Sequence, residues 1–252
     1  MRLSARRVRA ILRKELRDYR RNRQIVVSMA VLPLVFSIYP AVELFALPAS
    51  ASGVLLHTQA LVYMLAIPAI VPAVVAAYSV AGERQQDTLE PVLTTPIRAE
   101  ELLLGKGLAA LAPSLVVAYG VLGAFVAAIE LFAQPAVASA LLSGPELLAQ
   151  LLFTPLVAAL SIWAGIAISA RSSDPRVATQ LSVLVSAPLI AVTTAISTGG
   201  LHVTPRLALG LGAALLLIDG LGWRIVSPML DRERLITGAR SSVAAEARQW
   251  RD

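Results

Sequence analysis

Six apolar stretches, each about as long as a helix that crosses a bilayer, constrain this chain more than any other feature: 24–45, 59–81, 108–131, 148–170, 177–198 and 207–228. About 20 apolar residues in helical form cover roughly 30 Å of hydrocarbon. Within the six windows the only charged residues are Glu43, Glu130, Asp219 and Arg224. Glu43 and Glu130 fall at window ends, where a carboxylate reaches water. Lipid offers no partner to a backbone N–H or C=O, so stretches of this length read as helices rather than strands. Hydrophobic residues make up 57% of the 252 and charged residues 15%, against roughly 45–50% and 25% in soluble domains. So little polar surface could not cover so much apolar surface in water.

Lys and Arg in the short connections set the orientation. The segment before the first stretch carries Arg2, Arg6, Arg7, Arg9, Arg13, Lys14, Arg17, Arg20, Arg21 and Arg23. Arg84, Arg98 and Lys106 follow the second stretch, and Arg171 and Arg176 follow the fourth. The tail adds Arg232, Arg234, Arg240, Arg248 and Arg251. On the opposite side, 46–58, 132–147 and 199–206 together hold only Arg206. Both termini are therefore expected in the cytoplasm, across a cell membrane of the bacterial plasma-membrane type. The net charge of +6 belongs to these flanks and not to the basic face of a folded nucleic-acid binder. The absence of cysteine excludes disulfides, thiolate zinc sites and iron–sulfur ligation. Ala49-Ser50-Ala51 resembles a signal cleavage site, but the apolar run before it is longer than a signal core, so the first stretch reads as an uncleaved span.

Residues 4–22 place Val8, Ile11, Leu12, Leu16 and Tyr19 at helical spacing among Arg and Lys. Such a helix is expected to lie flat in the inner headgroup layer, apolar stripe down and basic side chains snorkelling outward. The chain thus divides into an interfacial helix over 1–23, a six-span region over 24–228 and a cytoplasmic tail over 229–252.

The longest polar interruption, 82–106, lies between the second and third stretches. Pro91 and Pro96 prevent one continuous helix. A short helical piece, a bend near Thr94-Thr95-Pro96 and a second helix start are expected, forming a bent charged knob at the membrane surface. A plain connector needs far fewer residues, so the length favours docking to a soluble partner.

The run Glu83-Arg84, Thr88-Leu89-Glu90, Leu93, Thr95-Pro96 and Glu101-Leu102-Leu103-Leu104-Gly105-Lys106 resembles the signature of type-2 ATP-binding-cassette (ABC) exporter permeases. Lys14-Glu15-Leu16-Arg17-Asp18 and Asp231-Arg232-Glu233-Arg234-Leu235-Ile236-Thr237-Gly238 are supporting matches. Arg98 departs from the small hydroxyl residue common there in the family, which weakens an N-cap at that position. The resemblance implies an all-α integral membrane protein with six transmembrane helices, an N-terminal elbow helix and a cytoplasmic coupling helix between spans two and three. It implies a dimer with a second permease subunit, identical or different, above two ABC ATPase subunits that bind ATP and Mg. Glu83, Arg84, Thr88, Leu89, Glu90, Leu93 and Pro96 become the ATPase-coupling residues. Reversing Glu83 and Glu90 to Lys is expected to spare insertion and weaken docking. The pathway is implied to run between subunits along the second and fifth spans, where Tyr63, Met64, Tyr78, Ser186, Thr193 and Thr194 are cavity candidates.

This chain holds no phosphate-cradling loop, because Glu100 and Gly107 occupy positions where a P-loop ending at Gly105-Lys106 needs Gly and Ser or Thr. No cofactor or metal site is expected in it. An intramembrane enzyme is a weak alternative, since His57 and His202 fall in outer loops and Asp219 is the one deep carboxylate. A non-transporting relay driven by an ATPase is another, although the outer loops are short. Asp219 requires a partner or a proton inside its span. Pro33, Pro40, Pro68, Pro72, Pro113, Pro155 and Pro188 mark places where span helices kink. The residues do not specify the substrate.

Overall fold

The structure is a computed structural model, which describes residues 3–46, 60–89, 94–95, 97–133, 135, 138–139, 142, 144–200 and 204–230. Among these residues there are seven α-helices and no strand. They are α1 (Ala5–Arg21), α2 (Arg23–Ala46), α3 (Ala66–Gln85), α4 (Ala99–Phe132), α5 (Gly144–Arg171), α6 (Pro175–Ser197) and α7 (Pro205–Val226). A 3₁₀ segment, Ala60–Leu65, leads into α3, and another, Ser227–Leu230, closes α7. Six helices, α2 to α7, are long and apolar enough to cross a membrane, as the sequence predicts.

The third span departs from its expected start at residue 108. Helix α4 runs 34 residues from Ala99, about 51 Å at the usual rise per residue, well beyond the hydrocarbon thickness. Arg98 is extended at φ −86 and ψ 152. It has no side-chain acceptor with which to cap the helix. Glu101 supplies the cap from inside the first turn, its Oε2 accepting the Arg98 backbone N–H at 3.2 Å. Half of a capping box is thus present, and it starts the helix despite the poor residue at the N-cap.

Helix α3 is the axis of the bundle, with every residue from Ala66 to Ala81 buried. Its many alanines allow neighbouring backbones to come close, as membrane helices require where lipid removes the hydrophobic drive for association. Gly165 of α5 makes the tightest approach: a β-carbon there would lie 2.7 Å from the Ala73 carbonyl oxygen and 2.8 Å from Ala76 Cβ. One turn on, the Ser169 hydroxyl donates to the Ala77 carbonyl at 2.6 Å. It also accepts the backbone N–H groups of Val80 and Ala81 at 3.0 and 2.9 Å. Outward faces of α2, α6 and α7 carry exposed Val31, Leu34, Ile38, Leu184, Leu209 and Leu217, the surface that lipid or another membrane subunit accepts.

Helix α1 differs from the expected flat interfacial helix in what its stripe touches. Ile11 and Tyr19 are buried in a protein core with Ile25, Leu102 and Leu103, and Leu12 and Leu16 pack partly against it. A β-carbon at Gly105 of α4 would meet Ile11 Cγ2 at 2.5 Å. The stripe therefore docks on the extension of α4, and that contact explains why α4 begins nine residues before its apolar window. Asn22 breaks the chain between α1 and α2, and its Oδ1 accepts the Gln24 N–H at 3.0 Å to start α2.

Candidate functional site

Glu15 lies four residues from both Ile11 and Tyr19, so the helical repeat places a carboxylate in the middle of the buried stripe of α1. Facing it is Lys106 of α4, fully buried. Its ammonium donates to Glu15 Oε1 at 2.8 Å and to the Ser79 carbonyl of α3. Glu83, at the end of α3, completes the group with its Oε2 2.9 Å from Lys106 Nζ. Lys14 reaches the other Glu83 oxygen, lies 3.3 Å from Glu15 and 3.5 Å from Asp18. Two lysines and two carboxylates alternate and cancel, which makes burial of Glu15, Glu83 and Lys106 tolerable beside the partly exposed Lys14.

The charges of the cluster set the direction in which its groups shift. Burial opposes the charge on Glu15, but Lys106 and Lys14 outweigh it and hold the carboxyl below its ordinary range. Burial also opposes the Lys14 ammonium, and the Glu15 and Glu83 carboxylates reverse that effect and raise it. Burial, with Glu15 and Glu83 adding to it, pushes the Tyr19 hydroxyl well above its ordinary value of 10.

Two further clamps flank the cluster. Buried Glu101 accepts from the Ser4 backbone N–H at 2.9 Å and from Arg7 at 3.2 Å, so one carboxylate caps the starts of α1 and α4 together. Arg84 donates to the carbonyls of Ala170 and Ser172, satisfying acceptors that the end of α5 would otherwise leave free. Beyond Arg84 the chain turns: Gln85, Gln86, Asp87 and Thr88 are exposed. Asp87 adopts φ 52, and the Thr88 N–H returns to the Glu83 carbonyl at 2.9 Å.

Glu83 is 7% exposed and held by two lysines, so its side chain lies in the interior. Arg84 is likewise engaged within the chain, Leu89 is buried in the α1 core and Thr88 is exposed. Glu90, Leu93 and Pro96 lie outside the described residues, as does the tail motif from Asp231. The sequence reading missed Glu15, Glu101 and Lys106 as a working set. The available signals were a carboxylate within an apolar stripe and a lysine between Gly105 and Gly107 in an otherwise apolar turn.

The cavity candidates are not brought together. Tyr63 packs against Phe36 and Tyr39 of α2 with ring centroids 5.9 and 5.0 Å apart. Met64 and Tyr78 belong to separate buried cores. Ser186, Thr193 and Thr194 donate to carbonyls of their own helix, a back-bonding that spends the hydroxyl locally. Of the six, only Thr193 lines the apolar cavity of about 230 Å³ formed with Val62, Phe153, Leu189 and Leu211. Asp219 is half-buried in α7, and among the described residues neither carboxylate oxygen has an aligned hydrogen bond; its polar neighbour is the Trp163 indole N–H of α5. Among the described residues no group of three or more His, Cys, Asp or Glu could hold a metal ion.

Six spans, one of them the buried alanine-rich α3, with charged groups joining helices at one end, define a multi-pass integral membrane protein. Residues 9–209 match the model of the family described as ABC-2 family transporter protein, and the chain belongs to that family. It is a membrane permease component of an ABC transporter, not itself catalytic, and membership implies ABC ATPase subunits as partners. No curated protein was found to match the chain.

Proposed function

We propose that the chain is the membrane-spanning subunit of an ATP-driven exporter. It pairs with a second permease subunit, identical or different, and two separate ATPase subunits bind ATP and Mg. Both termini face the cytoplasm of a plasma-type membrane, with the elbow over 1–23, the spans over 24–228 and the tail over 229–252.

One observation carries this reading: the buried Lys14–Glu15–Lys106–Glu83 cluster ties α1, the end of α3 and the start of α4 into one unit directly above the exposed turn Gln85–Thr88. A push on a flexible connector would dissipate in side-chain motion. A push on this turn passes through Glu83 into two span helices and the elbow at once. Coupling thus divides into an outer contact, made by Gln85–Thr88 with Glu90, Leu93 and Pro96, and an inner transmission, made by Glu83 and Arg84.

The test separates the two. Reversing exposed Asp87 together with Glu90 to Lys leaves the inner cluster intact, so insertion and subunit pairing should be normal. ATPase co-purification should fall, or ATP turnover should no longer depend on the permease. Glu246→Lys in the tail is the control and should change neither. Normal association with coupled turnover in the loop variant would overturn the assignment. Orientation is tested by single cysteines in a chain that has none: those at Ser52 and Ser139 should react with an impermeant reagent outside intact cells, and one at Gln86 should not.

A further inference from the structure

A cavity of about 310 Å³ opens between the second half of α1, the first turn of α2 and the end of α3. Its depth in the membrane is set by its walls. Ile25 and Tyr78 belong to apolar spans, whereas Gln86 and Thr88 on the opposite rim are exposed beyond the end of α3. The cavity therefore sits in the headgroup layer.

Among the described residues, four oxygens in its lining make no aligned hydrogen bond: the hydroxyls of Tyr19, Tyr78 and Ser79 and Oε2 of Glu83. Their side chains are buried, at 6%, 8%, 2% and 7% exposure, and Tyr78 has Thr179 of α6 as its polar neighbour. Lys106 lies near Glu83 Oε2 as an ion-pair partner but is not aligned to donate to it. The Tyr19 hydroxyl leans toward the Glu15 carboxylate as a donor, which leaves its own lone pairs without a partner. Buried polar atoms are nearly always paired, so this group of open acceptors around one cavity points to an occupant. Asp18 adds a third carboxylate to the lining, and Arg21 stands at the exposed mouth.

An occupant that fits carries a positive charge and three N–H donors for Tyr19, Ser79 and Glu83, with an anion to face the arginine. The layer in which the cavity lies supplies that combination in phosphoethanolamine. We propose that this cavity binds the primary ammonium group of an aminophospholipid headgroup, with Tyr19, Ser79 and Glu83 accepting its N–H bonds and Arg21 meeting the phosphate. The proposal rests on membrane insertion alone and is independent of ATPase coupling. Choline headgroups carry no N–H and are excluded by the same chemistry.

The test uses the full chain in nanodiscs containing equal phosphatidylethanolamine and phosphatidylcholine, with retained lipid identified by native mass spectrometry. The expected preference is about tenfold for phosphatidylethanolamine, the worth of one to two ordinary hydrogen bonds. Tyr19→Phe and Ser79→Ala each remove one acceptor without touching the ion pairs, and each should lower the preference about threefold. Together they should abolish it. Equal retention of the two lipids by the wild type would mean a cavity filled with water only and would overturn the proposal, as would a preference that survives in the double variant. Free ethanolamine stabilising the protein in pure phosphatidylcholine discs, without lipid selectivity in mixed discs, would overturn the lipid as the source of the ammonium.

Discussion

Lys106 and Glu15 meet across 91 positions of sequence, Nζ to Oε1 2.8 Å, with both side chains sealed from solvent. Neither helix could bury its charge alone. The pair fixes both the rotation of α1 and the height at which it rests on α4.

Removing one partner should therefore cost more than the pair itself contributes. Lys106→Met leaves Glu15 and Glu83 buried with only partly exposed Lys14 between them. A loss of about 3–5 kcal/mol is expected from an uncompensated buried charge, seen as lower yield and a lower melting temperature in detergent. The exchange Glu15→Lys with Lys106→Glu should recover part of it. Wild-type stability in the Met variant would show that the cluster does not hold α1.

The pH response follows from Lys14 and Glu15, with the raised Tyr19 hydroxyl adding to the alkaline limb. Lys14 is raised above 10.5 because the Glu15 and Glu83 carboxylates overcome its burial. Its contribution is complete below pH 10.5 and is lost as pH climbs through the folded value. Glu15 is lowered below 4.5 because Lys106 and Lys14 overcome its burial. Its contribution is present above pH 4.5 and is lost as pH falls through the folded value. Melting temperature should be level between these limits and fall on both sides. Glu15→Gln should flatten the acid limb, and Lys14→Met combined with Tyr19→Phe the alkaline one; limbs unchanged in both variants would contradict the assignment.

Gly165 is a steric prediction. Gly165→Val drives a side chain into the Ala73 carbonyl, which is backbone and cannot rotate away. Overpacking should cost about 1–3 kcal/mol or more. Gly210→Ala, with open space around the new β-carbon, should be neutral or slightly stabilising. Equal melting temperatures for the two variants would refute the close α3–α5 approach.

Among the described residues Asp219 makes no aligned hydrogen bond through either oxygen, and its polar neighbour is the neutral Trp163 indole rather than a cation. Asp219→Asn should keep most ATP-dependent transport and leave stability the same or up to about 1 kcal/mol higher, since an amide is less costly than a carboxylate in a span. Complete loss of transport with normal assembly would assign Asp219 a working role.

The sequence by itself determined the class of fold. Bilayer thickness leaves one solution for six apolar windows, and helix formation in lipid is local, because every backbone group must be satisfied within its own segment. The polar interruption after the second span and the amphipathic stretch at the N-terminus were legible for the same reason, as breaks or periodicities in a local pattern. Which charge faces which was not local. Glu83 reads as a surface residue beside Arg84 and Gln85, and only the arrival of Lys14 and Lys106 from distant segments turns it inward. The stripe through Ile11 and Tyr19 fits a lipid surface and a protein groove equally well by spacing. The early start of α4, with Gly105 open to Ile11, decided for the groove. Tertiary structure settled these points because the energy of a buried charge depends on the geometry of its partners, and a one-dimensional pattern of residue types does not contain that geometry.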